Sequence, residues 1–388
     1  MRQRSGRPLR VIHIVTAFQR HPDDVITPWL SALISAQRAE GVDASVLAPS
    51  YRGGGSVRVG EIPVRRFRYA PARWERLTHE ETVPDRLRRS PGYLMLIPFY
   101  VAGGLVASLR AGRSRPDIVH VHWPLPHALF GAAVRFASGG RTALVCTYYS
   151  VEIRWIENRL PWLLPLLGWS IRTADAVTAI SERTAVSVRG LAGREARVIP
   201  FAAAVSGPPG KTLRPALSSG EPLRLLFVGR LVQRKGVEHL VDALAIVRRS
   251  RPAVLTIVGD GEWRDVIRQA VARARVTEHV RMVGYVPEAD LGGYYEWCDI
   301  FVLPAVVDEK GDTEGLGVVL LEALRFSRPV IASRLGGIPD VVQPGTTGWL
   351  VPPGDPEALA TAVLEVAADP QGARGVAAEG RRTVDLRF

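Results

Sequence analysis

The sequence is poor in cysteine, and no spacing of histidine or cysteine typical of a metal site is present. Its 388 residues include only two cysteines, Cys146 and Cys298, which stand far apart within apolar segments. This usage favours two reduced, buried thiols over a disulfide. We therefore predict no metal and no disulfide framework, and the reduced thiols indicate a cytoplasmic protein.

The sequence also lacks a secretory leader and an uninterrupted apolar run long enough to cross a membrane. Residues Met1–Arg10 are basic, but a strand-like run follows them in place of a long apolar segment. The longest apolar run, Tyr93–Leu109, is interrupted by Pro98, Gly103 and Gly104. It is shorter than the roughly 20 residues of a bilayer span.

Acidic residues are outnumbered, and the net charge is +12. Nearly all the basic residues are arginines, and the segment Arg65–Arg115 around the apolar run holds eleven arginines and four acidic residues. A basic surface attracts phosphate or anionic lipid. A peripheral contact with the inner face of the cell membrane and an internal helix with a solvated basic face remain alternatives. Nucleic acid is not expected, because no reading motif is present.

Short apolar runs alternate with helical patterns along the chain. Runs such as Ile118–Val121 and Leu223–Val228 are continuous and apolar, which is typical of parallel strands covered on both faces. The alternation pauses between residues 201 and 222, where Ala, Gly, Pro and Ser dominate. We predict an α/β protein with two Rossmann-like, doubly wound lobes, residues 1–200 and 223–388. A linker at 201–222 joins them, and they face a central cleft, a preferred place for ligands.

The loop after the strand Leu223–Val228 places two cations at the binding edge of the second predicted sheet. Arg230 and Lys235 lie between Gly229 and a helix that begins just after Gly236. Ligands of open α/β sheets bind outside the carboxyl ends of the strands, and a helix N-terminus favours anions. Two cations at this position suit a diphosphate, although an ordinary basic loop would have the same sequence.

A second loop, which follows a later strand, carries two carboxylates. Gly315 and Gly317 allow the backbone to approach a ligand, and the helix that starts at Leu316 offers free N–H groups to an anion. Glu314 precedes this helix and Glu322 lies about two turns inside it, where both can accept hydrogen bonds from sugar hydroxyls. The alternatives are a helix-capping role for Glu314 and a solvated helix position for Glu322. The apolar run around Glu322 argues against the second alternative.

Together these segments resemble the retaining glycosyltransferases of family 4, which have the two-lobed GT-B fold. Glu314 and Glu322 match the family's two glutamates separated by seven residues. Its Gly-Arg pair and downstream lysine are matched by Gly229, Arg230 and Lys235. The stretches Gly336–Asp340 and Gly348–Asp355 are also similar to the family. The resemblance covers nearly the whole chain and is strongest from Leu223 to Asp355.

The resemblance implies a role for each of these residues. Arg230 and Lys235 would bind the donor diphosphate and stabilise the departing phosphate, so no metal would be required. Glu322 would bind the ribose hydroxyls. The transferred sugar and the phosphates would be held by Glu314 and the amides of Gly315, Leu316 and Gly317. The loop at Tyr285 and Val286, which follows another strand, would face the base.

The first lobe is expected to bind the acceptor, and its match to the family is weaker. His122 ends a strand and is predicted to face a sugar as a further catalytic residue, with a structural histidine as the alternative. Tyr149 stands where the family has a histidine. The loop that contains Asp24 has no glycine where the family often has two. We take Asp24, His122 and Tyr149 as candidates for the acceptor side.

The predicted function is transfer of a sugar, with retention, from a UDP-, GDP- or ADP-sugar. The acceptor would be a hydroxyl of a lipid-linked, polysaccharide or small-molecule compound, as in hexosyltransferases of cell-surface polysaccharide biosynthesis. The alternative is a catalytically impaired nucleotide-sugar-binding or scaffold protein of the same fold. A nicotinamide dehydrogenase is disfavoured, because no Gly-x-Gly-x-x-Gly follows Val11–Ala17.

Overall fold

The computed structural model describes residues 7–21, 24, 26–80, 83–202, 221–309 and 311–388. The chain forms two compact units, the first ending at Ile199 and the second starting at Pro200, except that Ser181–Arg183 belong to the second unit. Most of the predicted linker, residues 203–220, lies outside the described residues. Each unit has its own predominantly parallel sheet, so the predicted α/β class with two Rossmann-like sheets is confirmed.

The first unit contains an eight-stranded sheet in the order β3-β4-β2-β1-β5-β6-β7-β8, in which β3 is antiparallel to β4. The strands are β1 (Arg10–Ile14), β2 (Asp43–Pro49), β3 (Val57–Val59), β4 (Ile62–Phe67), β5 (Ile118–His122), β6 (Ala143–Tyr148), β7 (Ala176–Ala179) and β8 (Arg197–Val198). The helices are α1 (Pro28–Ala39), α2 (Val83–Arg89), α3 (Ile97–Gly112), α4 (Pro124–Ala137), α5 (Val151–Arg159), α6 (Leu164–Thr173) and α7 (Glu182–Ala192).

The second unit contains a six-stranded parallel sheet in the order β11-β10-β9-β12-β13-β14. The strands are β9 (Leu223–Val228), β10 (Ala253–Val258), β11 (Val280–Gly284), β12 (Ile300–Leu303), β13 (Val330–Ser333) and β14 (Trp349–Val351). The helices are α8 (Val237–Val247), α9 (Arg264–Arg273), α10 (Glu288–Trp297), α11 (Val318–Arg325), α12 (Ile338–Val341), α13 (Pro356–Ala368) and α14 (Pro370–Arg387).

The central strands of the second sheet are largely apolar because helices cover both faces of the sheet. All four residues of β12 are buried, as are Leu225–Val228 of β9. Both cysteines are free and buried within these cores. Burial of the alternate strand residues on both faces is the reason why the apolar runs predicted these strands correctly.

The apolar segment around α3 is longer than the run read from the sequence. Residues Pro91–Gly112 form 22 consecutive helical residues, which by length and composition alone are sufficient to cross a membrane, and 17% of the most apolar window is buried. Gly104 does not interrupt the helix: a Cβ there would lie 2.1 Å from the Phe130 ring of α4, so glycine permits close packing. The sequence analysis predicted that this segment is too short to cross a membrane, and that prediction of its length was wrong.

Candidate active site

The second sheet changes direction between β9 and β12. From β9 the chain builds β10 and β11 on one side, and then returns to place β12, β13 and β14 on the other side. At such a switch point, the loops that leave the carboxyl ends of the two central strands diverge and open a crevice that binds ligands. The loops after β9 and β12 are those that carry the predicted donor residues.

An ion pair joins these two loops. The Nζ atom of Lys235 donates to Oε2 of Glu314 at 2.5 Å, and the two side chains are only 11% and 14% exposed. Lys235 ends a short 3-10 helix, and Gly236, with φ of 59°, turns the chain into α8. Burial alone raises the pKa of Glu314, but the charge and hydrogen bond of Lys235 outweigh it and bring that pKa below its usual value. The site therefore holds a carboxylate and an ammonium in fixed positions.

Close backbone packing fixes the turn at Glu314. A Cβ on Gly336 would lie 2.0 Å from the carbonyl oxygen of Glu314, and one on Gly337 would lie 2.0 Å from that of Gly315. Only glycine permits these two backbone segments to touch. The Gly-Gly step therefore supports the Glu314 turn from outside the site, a role that the sequence did not reveal.

The remaining donor candidates lie at the same carboxyl edge. Gly317, with φ of 81°, precedes the first turn of α11, and Leu316 is buried beneath it. Arg230 is exposed in the loop after β9. Tyr285 is 65% exposed and Val286 half-buried in the loop after β11, which is two strands from β9.

Glu322 is buried and has a partner that the sequence analysis missed. Its side chain is on α11, and its Oε2 atom accepts a hydrogen bond of 2.6 Å from the hydroxyl of Tyr295 on α10. The ring of Tyr295 stacks on Phe326, with centroids 5.4 Å apart. The solvated alternative for Glu322 is thus excluded. No signal in the sequence marked Tyr295, because the contact joins two helices that are separated along the chain.

In the first unit, His122 lies inside the protein and not on its surface. The side chain is fully buried, with Nε2 3.0 Å from Nδ1 of His13 and Nδ1 2.5 Å from the hydroxyl of Tyr149. In this structure the side chain is buried, and the role of His122 toward a sugar stays a prediction. Burial lowers the pKa of His13 to about 4 and that of His122 well below its usual value, so both rings are neutral.

Tyr149 and Asp24, the other acceptor-side candidates, are also buried. Tyr149 stacks on Trp123 with ring centroids 4.6 Å apart, and its backbone N–H donates to Oε1 of Glu152 at 2.7 Å. The carboxylate of Asp24 accepts a hydrogen bond of 2.5 Å from Nε of Arg20. Tyr149 thus lies beside His122, whereas Asp24 forms an ion pair with Arg20 in its own loop.

The fold defines the class of protein. Sucrose-phosphate synthase from Thermosynechococcus elongatus is similar with a TM-score of 0.74 at 22% identity, covering 98% of this chain and 95% of that chain. Anabaena HepE, solved in complex with UDP and glucose, has a TM-score of 0.69 at 19% identity, covering 98% and 95%. The chain therefore has the GT-B glycosyltransferase fold.

The sequence comparisons identify the family. Residues 222–369 match the glycosyl transferases group 1, and residues 26–204 match the glycosyl transferase 4-like domain. The chain is 32% identical to the GDP-mannose-dependent alpha-(1-6)-phosphatidylinositol monomannoside mannosyltransferase of Mycolicibacterium smegmatis, over 76% of this chain and 78% of that protein. With the amylovoran biosynthesis glycosyltransferase AmsK of Erwinia amylovora, it shares 33% identity over 45% of this chain and 43% of that protein. The chain belongs to the group 1 glycosyl transferases.

Proposed function

We propose that the protein transfers a sugar from a nucleotide diphosphate sugar to an acceptor hydroxyl with retention of configuration. The observation that carries the proposal is the buried Lys235–Glu314 pair at the switch point of the second sheet. HepE is described in complex with UDP and glucose, and the Mycolicibacterium relative is described as GDP-mannose-dependent. The base therefore remains open between uracil, guanine and adenine.

The proposed mechanism depends on charge that develops on the leaving group. As the bond between the sugar and the diphosphate breaks, negative charge grows on the departing oxygen, and cations fixed in advance stabilise it more than they stabilise the bound donor. Lys235 and the exposed Arg230 supply that positive charge, together with N–H groups at the start of α11. Glu314 holds Lys235 in position and accepts hydrogen bonds from the sugar. This mechanism needs no metal ion at the diphosphate.

Glu322 is proposed to bind the ribose hydroxyls. Its Oε2 atom is held by the hydroxyl of Tyr295, which orients the carboxylate without neutralising it. A ribose has two adjacent hydroxyls that can donate to such a group. The loop at Tyr285 and Val286 is proposed to cover the base, since an exposed aromatic ring offers a stacking surface.

The test is turnover by variants of the buried pair. We expect Glu314→Ala and Lys235→Ala each to abolish sugar transfer and the slow hydrolysis of the donor, measured as release of UDP, GDP or ADP. Each single variant leaves one charge buried, which can destabilise the protein. The double variant Lys235→Met with Glu314→Gln removes both charges and serves as the folded control. Wild-type rates in the single variants would refute the proposal, and nucleotide binding by the wild type without any turnover would favour a scaffold protein.

A matched control separates loss of this pair from loss of any ion pair. Arg268 and Asp265 form an ion pair of 2.9 Å on the exposed face of α9. Exposed pairs of this kind contribute about 0–1 kcal/mol. We expect Arg268→Ala to retain wild-type turnover under the same assay.

The acceptor is proposed to be lipid-linked, because α3 and the 3-10 helix before it (Pro91–Leu96) leave an apolar face exposed among the described residues. The exposed face contains seven apolar residues at helical spacing: Leu94, Met95, Pro98, Phe99, Ala102, Val106 and Leu109. Phe99 is 62% exposed and Met95 is 77% exposed. The exposed arginines Arg88 and Arg110 lie at either end of this face. An uncharged strip with basic ends is typical of a helix that lies in the interface of an anionic bilayer.

The membrane proposal is tested by flotation with vesicles. We expect the wild type to float with vesicles that contain phosphatidylglycerol and to be released when the salt concentration is raised. The variant Met95→Asp/Phe99→Asp should lose at least tenfold in binding. Leu386→Asp, which changes an exposed leucine on α14, should bind normally. Equal binding of the two charged variants, or no binding by the wild type, would overturn this part of the proposal.

A further inference from the structure

Three histidines of the first unit point toward one another from two adjacent strands. In β5, His120 and His122 are two residues apart, so their side chains project from the same face of the sheet. In β1, His13 pairs directly with His120 in the parallel register. One nitrogen atom from each of the three rings lies within 4.8 Å of the others. This arrangement arises from strand pairing, so the sequence spacing alone did not disclose it.

An oxygen atom holds each ring through one of its nitrogens. Nε2 of His13 lies 2.9 Å from Oε1 of Gln37 on α1. Nε2 of His120 lies 2.6 Å from Oγ1 of Thr147. Nδ1 of His122 lies beside the hydroxyl of Tyr149. Histidines that bind metals are held in this way, since a hydrogen bond to the second nitrogen fixes the tautomer and the ring orientation.

Two of the three nitrogen atoms lie at nearly the separation that a tetrahedral ion needs. Nδ1 of His13 and Nε2 of His122 are 3.0 Å apart. Two imidazole ligands at about 2.0–2.1 Å from a zinc ion in tetrahedral geometry are about 3.3–3.4 Å apart. An ion therefore replaces the hydrogen bond between these two rings with a shift of a few tenths of an ångström. His120 is half-buried, whereas His13 and His122 are fully buried.

We propose that His13, His120 and His122 form a binding site for a transition-metal dication of the zinc type. Three neutral imidazoles suit Zn²⁺, Co²⁺, Ni²⁺ and Cu²⁺, whereas Mg²⁺ and Ca²⁺ prefer oxygen ligands. The ion fastens β1 to β5 at the centre of the sheet. Coordination through Nε2 of His122 keeps its proton on Nδ1, so His122 donates to the hydroxyl oxygen of Tyr149 and fixes that side chain. This site goes beyond glycosyl transfer, and its test does not depend on that activity.

The experiment is a metal titration of the full chain after removal of bound metal with a chelator. We expect one equivalent of Co²⁺ to bind and to give the visible absorption bands of a nitrogen-coordinated ion. Zn²⁺ should displace it, and excess Mg²⁺ should not. The variants His13→Gln and His122→Gln should each lose at least about 100-fold in affinity. Gln37→Leu, which removes an oxygen that orients His13, should lose about tenfold.

His127→Gln is the matched control. His127 is buried like His13 and His122, but its ring bonds to the hydroxyl of Tyr100 and to the carbonyl oxygen of Trp123. This variant should bind Co²⁺ with wild-type affinity and stoichiometry. Circular dichroism shows whether each variant is folded.

Two results would overturn the proposal. One is binding of less than one equivalent of Co²⁺ or Zn²⁺ per chain of the wild type. The other is the same affinity in His122→Gln as in the wild type, which would place the metal elsewhere on the chain. If the variants fail to fold, X-ray absorption at the zinc edge of the wild type decides, because three nitrogen ligands are expected and an oxygen-dominated shell would refute the site.

Discussion

At the residue scale, the function of a charged side chain depends on the partner that the fold provides. Glu314 and Glu322 are both buried carboxylates, but Glu314 faces an ammonium and Glu322 faces a hydroxyl. The sequence predicted both residues as part of the site. Their partners differ because α11 carries Glu322 toward α10, whereas Glu314 remains in the loop beside the end of β9. The chemistry of each group is thus decided by its neighbour and not by its residue type.

Glu152 allows a prediction at the same scale. Burial is the main cause that raises its pKa to about 7, and its hydrogen bonds from the backbone reduce the effect. The folded state therefore holds the proton more tightly than the unfolded chain, whose pKa is near 4.3. The resulting stability is present at low pH and is lost as pH rises through about 7.

We expect Glu152→Gln to stabilise the protein more at pH 8 than at pH 5, by up to about 3 kcal/mol. Glutamine can still accept the hydrogen bond from the N–H of Tyr149, so the shape of the site is retained. Urea unfolding at the two pH values provides the measurement. Glu157→Gln, on the exposed side of the same helix, should show no such difference. Equal effects of Glu152→Gln at both pH values would contradict the prediction.

At the element scale, the position of the site follows from the order of the strands. The loops after β9 and β12 meet because these strands are neighbours, although residues 229–299 lie between the end of β9 and the start of β12. The sequence predicted the carboxyl edge correctly, since parallel strands all end at the same edge. It could not predict the supports of the loops, because the contacts of Gly336 and Gly337 are made with backbone atoms.

We expect Gly337→Ala to disturb the Glu314 turn. The added Cβ would lie 2.0 Å from the carbonyl oxygen of Gly315, so one of the two segments must move. Overpacking of this kind costs about 1–3 kcal/mol, and nucleotide affinity should fall at least tenfold. Urea unfolding and isothermal titration calorimetry measure the two effects.

Gly293→Ala is the control for this substitution. Gly293 is in α10, and a Cβ at this position has no neighbour within 4 Å. Alanine favours a helix over glycine by about 1 kcal/mol. This variant should be as stable as the wild type or more stable, with unchanged affinity. Wild-type affinity in Gly337→Ala would show that the Gly-Gly step does not support the site.

At the scale of the whole molecule, the chain forms two units, and each unit has its own buried apolar core. The second unit has one continuous core that extends from β9 to α14, and the first has two clusters of buried apolar residues of its own. A ligand that binds one unit stabilises that unit by mass action, by about 2.7 kcal/mol at one hundred times its dissociation constant. The proposed donor residues all lie in the second unit.

We expect the correct nucleotide among UDP, GDP and ADP to raise the unfolding temperature of the second unit. Amide hydrogen exchange should slow in the loops that follow β9 and β12, because bound nucleotide makes local opening of these loops less favourable. Lys235→Ala should remove both effects, and Arg268→Ala should retain them. Protection confined to residues 26–202 would contradict the assignment of the donor to the second unit.

The sequence by itself determined the two α/β sheets and the chemical character of the donor loops. Continuous apolar runs encode buried parallel strands, and charged residues directly after those strands must lie at the binding edge, so local pattern was sufficient. Only the tertiary structure decided which side chains meet: Tyr295 with Glu322, His13 with His122, and Gly337 with the backbone at Gly315. These contacts join elements that are distant along the chain, and helix packing and strand register, which local sequence does not specify, bring them together.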